Sequence, residues 1–406
     1  MTSNGWKEVT LGEISLDGKG SYGIAASAVE YSDDLYTYLR ITDINDDGTL
    51  NKTDLKSVDD EKAEKYLLQP NDIVFARTGN STGRSYFYDG SDGELVYAGF
   101  LIKFSLDPSK VNPKFMRYYT LSNEYKGWVS SYISGSTRGN INAKTYANMK
   151  ISLPPRKQQD YLVKVLSSLD EKIKTNNQIN EKLEEMAQAL FKHWFVDFEF
   201  PNENGEPYKS SGGEMVESEL GMIPKGWEVG KLGDIISISS GKRPKEKQAD
   251  SSEKYPFPIV GASSIMGYTS DFNYNEPVLI IGRVGTHGII QRFTNKVWAS
   301  DNTLVIKSKY YGFTYNILKS IDYKSLNRGS TQPLITQKDI KNTTVLIPPS
   351  NVVNSYEDFY SSLFEKYRTN KVESDLLTKI RDSILPKLMS GEIRVPLDNE
   401  ELVEQS

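Results

Sequence analysis

The sequence contains the same arrangement twice, and this duplication constrains the fold more than any other feature. A Gly-Ser-Thr segment at 135–137 precedes a Leu-Pro-Pro segment at 153–155 and a long helical pattern. A second Gly-Ser-Thr segment at 329–331 precedes Ile-Pro-Pro at 347–349 and another long helical pattern, with the same offset of 194 residues. Each copy also starts with Trp, four residues, Leu-Gly, an acid and Ile, at 6–14 and 227–235. The duplication predicts pseudo-two-fold symmetry, and duplex DNA is the commonest two-fold partner.

Length and composition limit the class of protein. The 406 residues leave room for two to four domains, and the absence of Cys excludes disulfides and thiolate zinc sites. No run of eighteen apolar residues is present, and the N-terminal residues do not resemble a signal peptide. We therefore expect a cytoplasmic protein.

Residues for catalysis are scarce. The chain has two histidines, His193 and His287, far apart in sequence. It contains no GxxxxGK(S/T) phosphate loop and no Asn-Pro-Pro-Tyr-like motif of amino-methyltransferases. We expect a binding or scaffolding protein that is not an enzyme by itself and holds no metal.

The net charge of −5 is unevenly distributed. Residues 1–155 carry −3, residues 156–221 carry −5, residues 222–349 carry +7 and residues 350–406 carry −4. Because phosphate binding favours basic surfaces, the second copy suits DNA, whereas the first must rely on the placement of individual Arg and Lys residues.

The segment from 156 to 200 lacks Gly and Pro and predicts a helix with a heptad seam. Its inner positions are Leu162, Leu166, Leu169, Ile173, Asn176, Asn180, Leu183, Ala187, Leu190 and Trp194. The second copy predicts a weaker seam, in which Ile380 replaces Arg381, Pro386 disturbs the last turns and Gly391 stops the helix. Its positions are Tyr356, Tyr360, Leu363, Tyr367, Asn370, Ser374, Leu377, Arg381, Ile384 and Leu388.

Polar residues occupy the middle of both seams. If the helices pack antiparallel, Asn176, Asn180, Asn370 and Ser374 form one layer, which we call the polar layer, and fix the register. The alternative is that Asn180 faces solvent while Ile179 turns inward.

In each copy an arginine follows a buried strand. Residues 72–76 precede Arg77, and residues 278–282 precede Arg283. Small polar residues follow both arginines, so these loops predict close approach to a ligand, with Arg contacting bases or phosphates. The alternative is an ordinary turn between strands.

Two further segments are candidates. The Gly-Ser-Thr segments are followed by Arg138 and Gln332, side chains that can contact base edges. A basic loop at 241–247 lies in the basic copy, although such a run alone is usually a solvated surface. The predicted DNA-contact residues are Arg77, Thr78, Asn80, Ser81, Arg84, Ser136, Thr137, Arg138, Asn140, Lys242, Arg243, Lys245, Arg283, Thr286, His287, Ser330, Thr331 and Gln332.

Three linear segments resemble a known family. Residues 187–198, Ala-Gln-Ala-Leu-Phe-Lys-His-Trp-Phe-Val-Asp-Phe, resemble the end of the central conserved helix in specificity subunits of Type I restriction–modification systems. Residues 215–227 resemble the lead into that family's second target-recognition domain, and residues 388–393 resemble its C-terminal helix end. The resemblance covers the whole chain, with two departures: His193 replaces an expected small polar residue, and the first domain is acidic.

The resemblance implies an α+β fold with two mixed α/β target-recognition domains, related by pseudo-two-fold symmetry and separated by two long antiparallel coiled-coil helices. These helices would act as a ruler between two DNA half-sites. Two methyltransferase subunits and restriction subunits would dock on the chain. S-adenosylmethionine, ATP and magnesium would belong to those partners. The implied bounds are 1–154 and 222–349 for the domains, 155–200 and 350–394 for the helices, 201–221 for a linker and 395–406 for a tail.

The main rival is a stand-alone DNA-binding regulator without enzyme partners. Four aromatic residues at the end of the first helix, Phe191, Trp194, Phe195 and Phe198, exceed what a two-helix seam can bury. They favour a docked partner over a solitary regulator, and we predict them to be partner-binding residues. The DNA sequence recognised and the spacer length do not follow from the sequence.

Overall fold

The computed structural model describes residues 5–133, 139–283, 288–323, 325 and 334–393. The chain divides into two compact units: unit 1 comprises residues 1–175 and 373–406, and unit 2 comprises residues 176–372. Each unit contains strands, short helices and part of each of two 40-residue helices. The expected α+β class is therefore confirmed. In the parts of the chain that the structure describes, no helix is long and apolar enough to cross a membrane.

Unit 1 is built around two four-stranded sheets. Its strands are β1 (Lys7–Thr10), β2 (Ser21–Tyr22), β3 (Ala28–Glu30), β4 (Tyr36–Leu39), β5 (Lys56–Val58), β6 (Asp72–Ala76), β7 (Ser85–Phe87), β8 (Leu95–Tyr97), β9 (Leu101–Ser105) and β10 (Lys150–Leu153). The helices are α1 (Pro113–Tyr119), α2 (Asn123–Ile133), α3 (Ala143–Ala147) and the first long helix, α4 (Arg156–Phe195). The sheets have the orders β2-β9-β6-β7 and β3-β5-β4-β8, and β1 pairs with β10.

Unit 2 has a similar plan, but its second sheet has three strands. Its strands are β11 (Met215–Ser218), β12 (Gly221–Pro224), β13 (Glu228–Lys231), β14 (Ser237–Ser240), β15 (Phe257–Val260), β16 (Ile265–Thr269), β17 (Val278–Gly282), β18 (Ile290–Phe293), β19 (Trp298–Ala299), β20 (Thr303–Lys307) and β21 (Thr344–Ile347). The helices are α5 (Tyr311–Ser320), α6 (Gln337–Lys341) and the second long helix, α7 (Ser350–Met389). The sheet β14-β20-β17-β18 corresponds to β2-β9-β6-β7, and the pair β13-β21 corresponds to β1-β10. A hairpin, β11-β12, lies in and beyond the segment expected to be a linker.

The repeated start of each copy forms the same turn in both units. Leu11 and Leu232 are fully buried directly after β1 and β13. The acids that follow, Glu13 and Asp234, each accept a hydrogen bond from the backbone N–H three residues earlier, at 2.6 and 2.8 Å. The carboxylate thus satisfies a backbone donor that the strand ladder leaves unpaired, which explains the acid in the motif.

The central strand of each unit lies between two cores. In unit 1, Ile73 and Phe75 of β6 face the core shared with α1, α2 and the long helices, whereas Val74 and Ala76 face the core of the second sheet. In unit 2, Leu279 and Ile281 belong to one core and the alternating residues of β17 to another. Because neighbouring residues of a strand point to opposite faces, both runs are continuously apolar.

The heptad seam of α4 is confirmed. All ten inner positions are buried or half-buried, and Ile179 is 38% exposed. The helices run antiparallel within each unit. In unit 1 Asp170 pairs with Arg381 and Lys172 with Glu373; in unit 2 the ring of Trp194 contacts that of Tyr356.

The seam of α7 is confirmed except at one position. The expectation that Ile380 replaces Arg381 is wrong: Ile380 is 40% exposed, and the Arg381 side chain is only 15% exposed. Arg381 Nη1 donates to Asp170 Oδ1 at 2.8 Å, and this ion pair holds the guanidinium inside. The helix continues past Pro386 to Met389, so the proline does not end it. Gly391 follows with a φ of 73°, as expected for a stop signal.

The polar residues predicted at the middle of the two seams are buried. Asn180 and Asn370 are 6% and 2% exposed, and Asn370 Nδ2 donates to Asn180 Oδ1 at 3.0 Å. Asn176 and Ser374 are buried as well. The alternative in which Asn180 faces solvent and Ile179 turns inward is therefore wrong.

Candidate nucleic-acid interface

The two strand-end arginines occupy the same backbone setting in their units. The Arg77 N–H donates to the Phe100 carbonyl at 3.0 Å, and the Arg77 carbonyl accepts from the Ile141 N–H at 2.9 Å. The Arg283 N–H donates to the Asn302 carbonyl at 3.0 Å, and its carbonyl accepts from the Ile335 N–H at 3.0 Å. Two loops meet at each strand end, so their matched placement is a property of the fold.

In unit 1 the structure brings two predicted loops together. Thr78 forms an isolated β-bridge with Asn140, and Thr82 Oγ1 donates to the Gly139 carbonyl at 3.1 Å. Asn80 and Asn140 are exposed at this junction. Three other predicted contact residues of unit 1 lie outside the described residues: Ser136, Thr137 and Arg138. The same holds for Thr286, His287, Ser330, Thr331 and Gln332 in unit 2.

Arg77 is held by an aromatic ring. Its guanidinium carbon lies 5.0 Å from the ring centroid of Tyr22, and its Nε is buried with no hydrogen-bond partner among the described residues. The Tyr22 hydroxyl accepts from the Ala143 N–H at 3.2 Å, which fixes the ring. A stacked guanidinium has fewer rotamers to lose on binding, so this arrangement suits a specific base or phosphate contact.

Two predicted contact residues have other roles within unit 1. Arg84 Nε lies 2.7 Å from Asp46 Oδ1, and Arg84 Nη1 donates to the Ile44 carbonyl at 3.1 Å. Ser81 is 8% exposed. Arg84 is thus engaged with residues of its own unit and Ser81 is buried, while their role in DNA contact stays a prediction. The partners of Arg84 lie about 40 residues away, so the composition of the loop does not reveal them.

The basic loop of unit 2, residues 241–247, starts at the same sheet end as Arg283. The Gly241 N–H donates to the Thr303 carbonyl at 3.0 Å, and Thr303 pairs with Gly282 of β17. Lys242 is anchored by its backbone, because its carbonyl accepts from the Trp298 indole N–H at 2.7 Å. The side chains of Lys242, Arg243 and Lys245 are exposed. The fold therefore gathers basic side chains beside Arg283.

The aromatic cluster at the end of α4 forms part of the core of unit 2. Trp194 and Phe195 are 4% and 6% exposed, and Phe191 and Phe198 are half-buried. Their ring centroids lie 4.7 Å (Phe195) and 5.8 Å (Phe191) from Phe313, 6.0 Å (Trp194) from Tyr356 and 5.5 Å (Phe198) from Trp227. Residues outside the two-helix seam cover much of these rings, so their number alone does not indicate a docked partner, and their role in partner binding stays a prediction.

The sequence reasoning missed a buried arginine on β18. Arg292 has a side chain 10% exposed, forms an ion pair with Glu184 of α4 and donates to the Tyr360 hydroxyl of α7 at 3.1 Å. Its guanidinium lies 4.4–4.8 Å from the ring centroids of Tyr315, Phe364 and Tyr367. Burial raises the pKa of Tyr360 to about 12, against the opposing effect of Arg292. Arg292 thus fixes the β17–β18 hairpin, which carries Arg283, to both long helices. No local sequence motif indicates this role, because Glu184 is 108 residues away from Arg292.

Within the described ranges, no group of three His, Asp or Glu residues could hold a metal ion. The site thus consists of strand ends, loops and basic side chains. Such a surface can position arginines and lysines against a polyanion.

The chain is similar to known proteins of one family. The family described as "Type I restriction modification DNA specificity domain" matches residues 3–185 and 224–374. The MjaIX specificity subunit of a Type I restriction enzyme from Methanocaldococcus jannaschii is 31% identical over 310 residues, covering 70% of this chain and 69% of the relative. The HindI specificity subunit from Haemophilus influenzae is 25% identical, covering 96% and 99%.

A solved structure shows the same fold. The crystal structure of the Type I restriction–modification system S subunit from M. genitalium superposes with a TM-score of 0.57 at 16% identity, covering 96% of this chain and 97% of that one. The two matched segments of the family cover both units and most of both long helices. The chain belongs to the family of Type I restriction–modification DNA specificity subunits.

Proposed function

We propose that the chain recognises a bipartite DNA target, with one half-site read by each unit. The observation that carries the proposal is the matched setting of Arg77 and Arg283, each at the end of a central strand and beside a second loop. Two equivalent reading surfaces on one chain suit two half-sites on one duplex. The stand-alone regulator is not favoured, since the relatives are subunits of restriction enzymes.

The proposed partners are double-stranded DNA, two methyltransferase subunits and restriction subunits. Members of this family are non-catalytic subunits, so the chemistry lies in the partners. We place S-adenosylmethionine, ATP and magnesium there, because this sequence has neither a phosphate loop nor a methyltransferase motif. A cytoplasmic location follows from this role.

The decisive experiment co-expresses the chain with its cognate methyltransferase subunit and maps methylated adenines in the host genome. We expect one bipartite motif with a constant spacer. As a control, the purified chain alone, incubated with S-adenosylmethionine and DNA, should transfer no methyl group. A continuous motif, or methyl transfer by the pure chain, would contradict the proposal.

A further inference from the structure

The residue opposite the strand-end arginine differs between the units. In unit 1 the partner of the Arg77 N–H is Phe100, whose side chain is 58% exposed. In unit 2 the partner of the Arg283 N–H is Asn302, which is also exposed. Opposed residues of an antiparallel pair project to the same face. One unit therefore places a large apolar ring beside its arginine, and the other places an amide.

The adjacent edge strand repeats this difference. Tyr22 of β2 pairs with Ile102, and Ser240 of β14 pairs with Leu304, in equivalent registers. Tyr22 is 42% exposed and stacks with the Arg77 guanidinium. Unit 1 thus carries an aromatic platform, defined as Tyr22 and Phe100 on the β9 side of Arg77, whereas the equivalent positions of unit 2 are Ser240 and Asn302.

The loops that leave these edge strands differ in charge. Gly23 donates its N–H to the Leu101 carbonyl and Gly241 to the Thr303 carbonyl, at 3.2 and 3.0 Å. A Cβ would lie 2.2 Å from a backbone oxygen at Gly23 and 2.1 Å from one at Gly241. In both units the backbone therefore passes close to a neighbouring loop where it leaves the sheet, and only glycine fits there. Residues 24–28 then read Ile-Ala-Ala-Ser-Ala, without charge. Residues 242–247 read Lys-Arg-Pro-Lys-Glu-Lys, with four basic residues and one acid.

We propose that the two units hold their half-sites by different forces. In unit 1 the aromatic platform stacks on bases and makes apolar contacts with base edges. In unit 2 the positive charge of the basic loop binds phosphates. This inference rests on the proposed function. It uses Tyr22 and Phe100, which the family resemblance does not identify.

Charge and exposure support this division. Residues 1–155 carry −3 and residues 222–349 carry +7, so general attraction to phosphate is available only to the second. An exposed ring can contact a thymine methyl group or enter a base step, and neither contact releases counterions. Lysine contacts to phosphates do release them, so binding by unit 2 should carry most of the salt dependence.

The test measures the dissociation constant of the full chain with its cognate methyltransferase, on a duplex carrying its own methylated motif, over a series of salt concentrations. The variant Lys242→Gln/Lys245→Gln should reduce the slope of log K against log salt by about 1.8, at about 0.9 per phosphate contact. Its matched control, Lys209→Gln/Lys225→Gln, also removes two exposed lysines of unit 2 and should leave the slope unchanged.

The opposite signature is expected for the aromatic platform. Phe100→Ala should weaken binding by about tenfold at every salt concentration without changing the slope, as expected for loss of one ring–base contact. The matched control is Leu16→Ala. Leu16 is 61% exposed, and its backbone N–H donates to the Ser105 carbonyl at the other end of β9. It should bind like the wild type.

The outcomes separate this inference from the proposed function. If the wild-type complex shows no preference for a bipartite duplex, the proposed function fails before any variant is compared. If the wild type binds specifically but Phe100→Ala binds equally well, the aromatic platform does not touch DNA. If the lysine variant keeps the wild-type slope, the basic loop does not hold phosphates.

Discussion

The buried pair Asn180–Asn370 allows a quantitative test of the polar layer. Asn370 Nδ2 donates to Asn180 Oδ1 at 3.0 Å, with side chains 2% and 6% exposed, so water does not replace a lost partner. Replacing Asn180 with Leu leaves the Asn370 amide buried and unpaired, which costs about 1–3 kcal/mol. A buried Leu contributes about 1.5–3 kcal/mol in the opposite direction. The two effects nearly cancel, so a single variant should unfold within about 1 kcal/mol of the wild type.

The double variant Asn180→Leu/Asn370→Leu separates the two contributions. It keeps the apolar gain at both positions and leaves neither amide unpaired. The change in its free energy of unfolding should therefore exceed the sum of the two single changes by about 2–6 kcal/mol, twice the cost of one unpaired amide. The added stability should come with a loss of register specificity, because the layer no longer penalises a shifted seam.

Urea unfolding of the full chain provides the measurement. Trp194 and Trp227 lie in the core of unit 2 and report its loss by fluorescence, and circular dichroism reports the helices. Additive effects of the two substitutions would refute the reasoning, since independent residues show no coupling. A strongly destabilised double variant would refute it as well.

Three further predictions test other parts of the molecule. Arg292→Met should lower the free energy of unfolding of unit 2 by about 3–5 kcal/mol, because Glu184 loses its buried partner; an unchanged urea midpoint would show that the pair is dispensable. Arg77→Ala and Arg283→Ala should each weaken DNA binding by about 1–3 kcal/mol, and unchanged affinity and methylation in both would mean that these loops are only turns. Burial raises the pKa of Glu357 above its usual value, so the stability contributed by its protonated form is present at acidic pH and is lost as pH rises through the raised pKa. Glu357→Gln should therefore reduce the fall of the free energy of unfolding with pH above pH 4.5, measured by urea titrations at several pH values. The same dependence on pH in the variant and the wild type would contradict this.

The periodic parts of the fold follow from the sequence because they depend on local spacing. Both long helices span 40 residues, and Arg156 and Ser350 at their starts keep the 194-residue offset of the repeat. The heptad spacing also predicted that Asn180 points inward, since moving one residue along a helix rotates a side chain away from the seam. The strand-end arginines were predicted for a related reason, because a short apolar run that ends at an Arg before a Gly-containing loop indicates a buried strand.

Tertiary pairing could not be predicted in the same way. Arg381 stays in the seam because Asp170, 211 residues away, neutralises it. The same limit applies to Arg84, which pairs with Asp46, and to Phe195, which packs on Phe313. In each case a side chain that looked free in the sequence is satisfied by a distant residue, and only the folded chain brings the two together.

The expectation that the long helices act as a ruler between half-sites leads to the last prediction. Each helix contributes residues to both units, since the division between units falls after Thr175 in α4 and after Val372 in α7. Inserting seven residues near Asn180 and seven near Ser374 keeps both seams in phase and lengthens each helix by about 10 Å at ~1.5 Å per residue. The half-sites should be unchanged, and the spacer of the methylated motif should grow by about 3 base pairs at ~3.4 Å each, less the twist that the duplex absorbs. An insertion of four residues in one helix is the control: it misaligns the seams and should lower stability instead. If the double insertion kept the original spacer, the helices would not set the distance between half-sites.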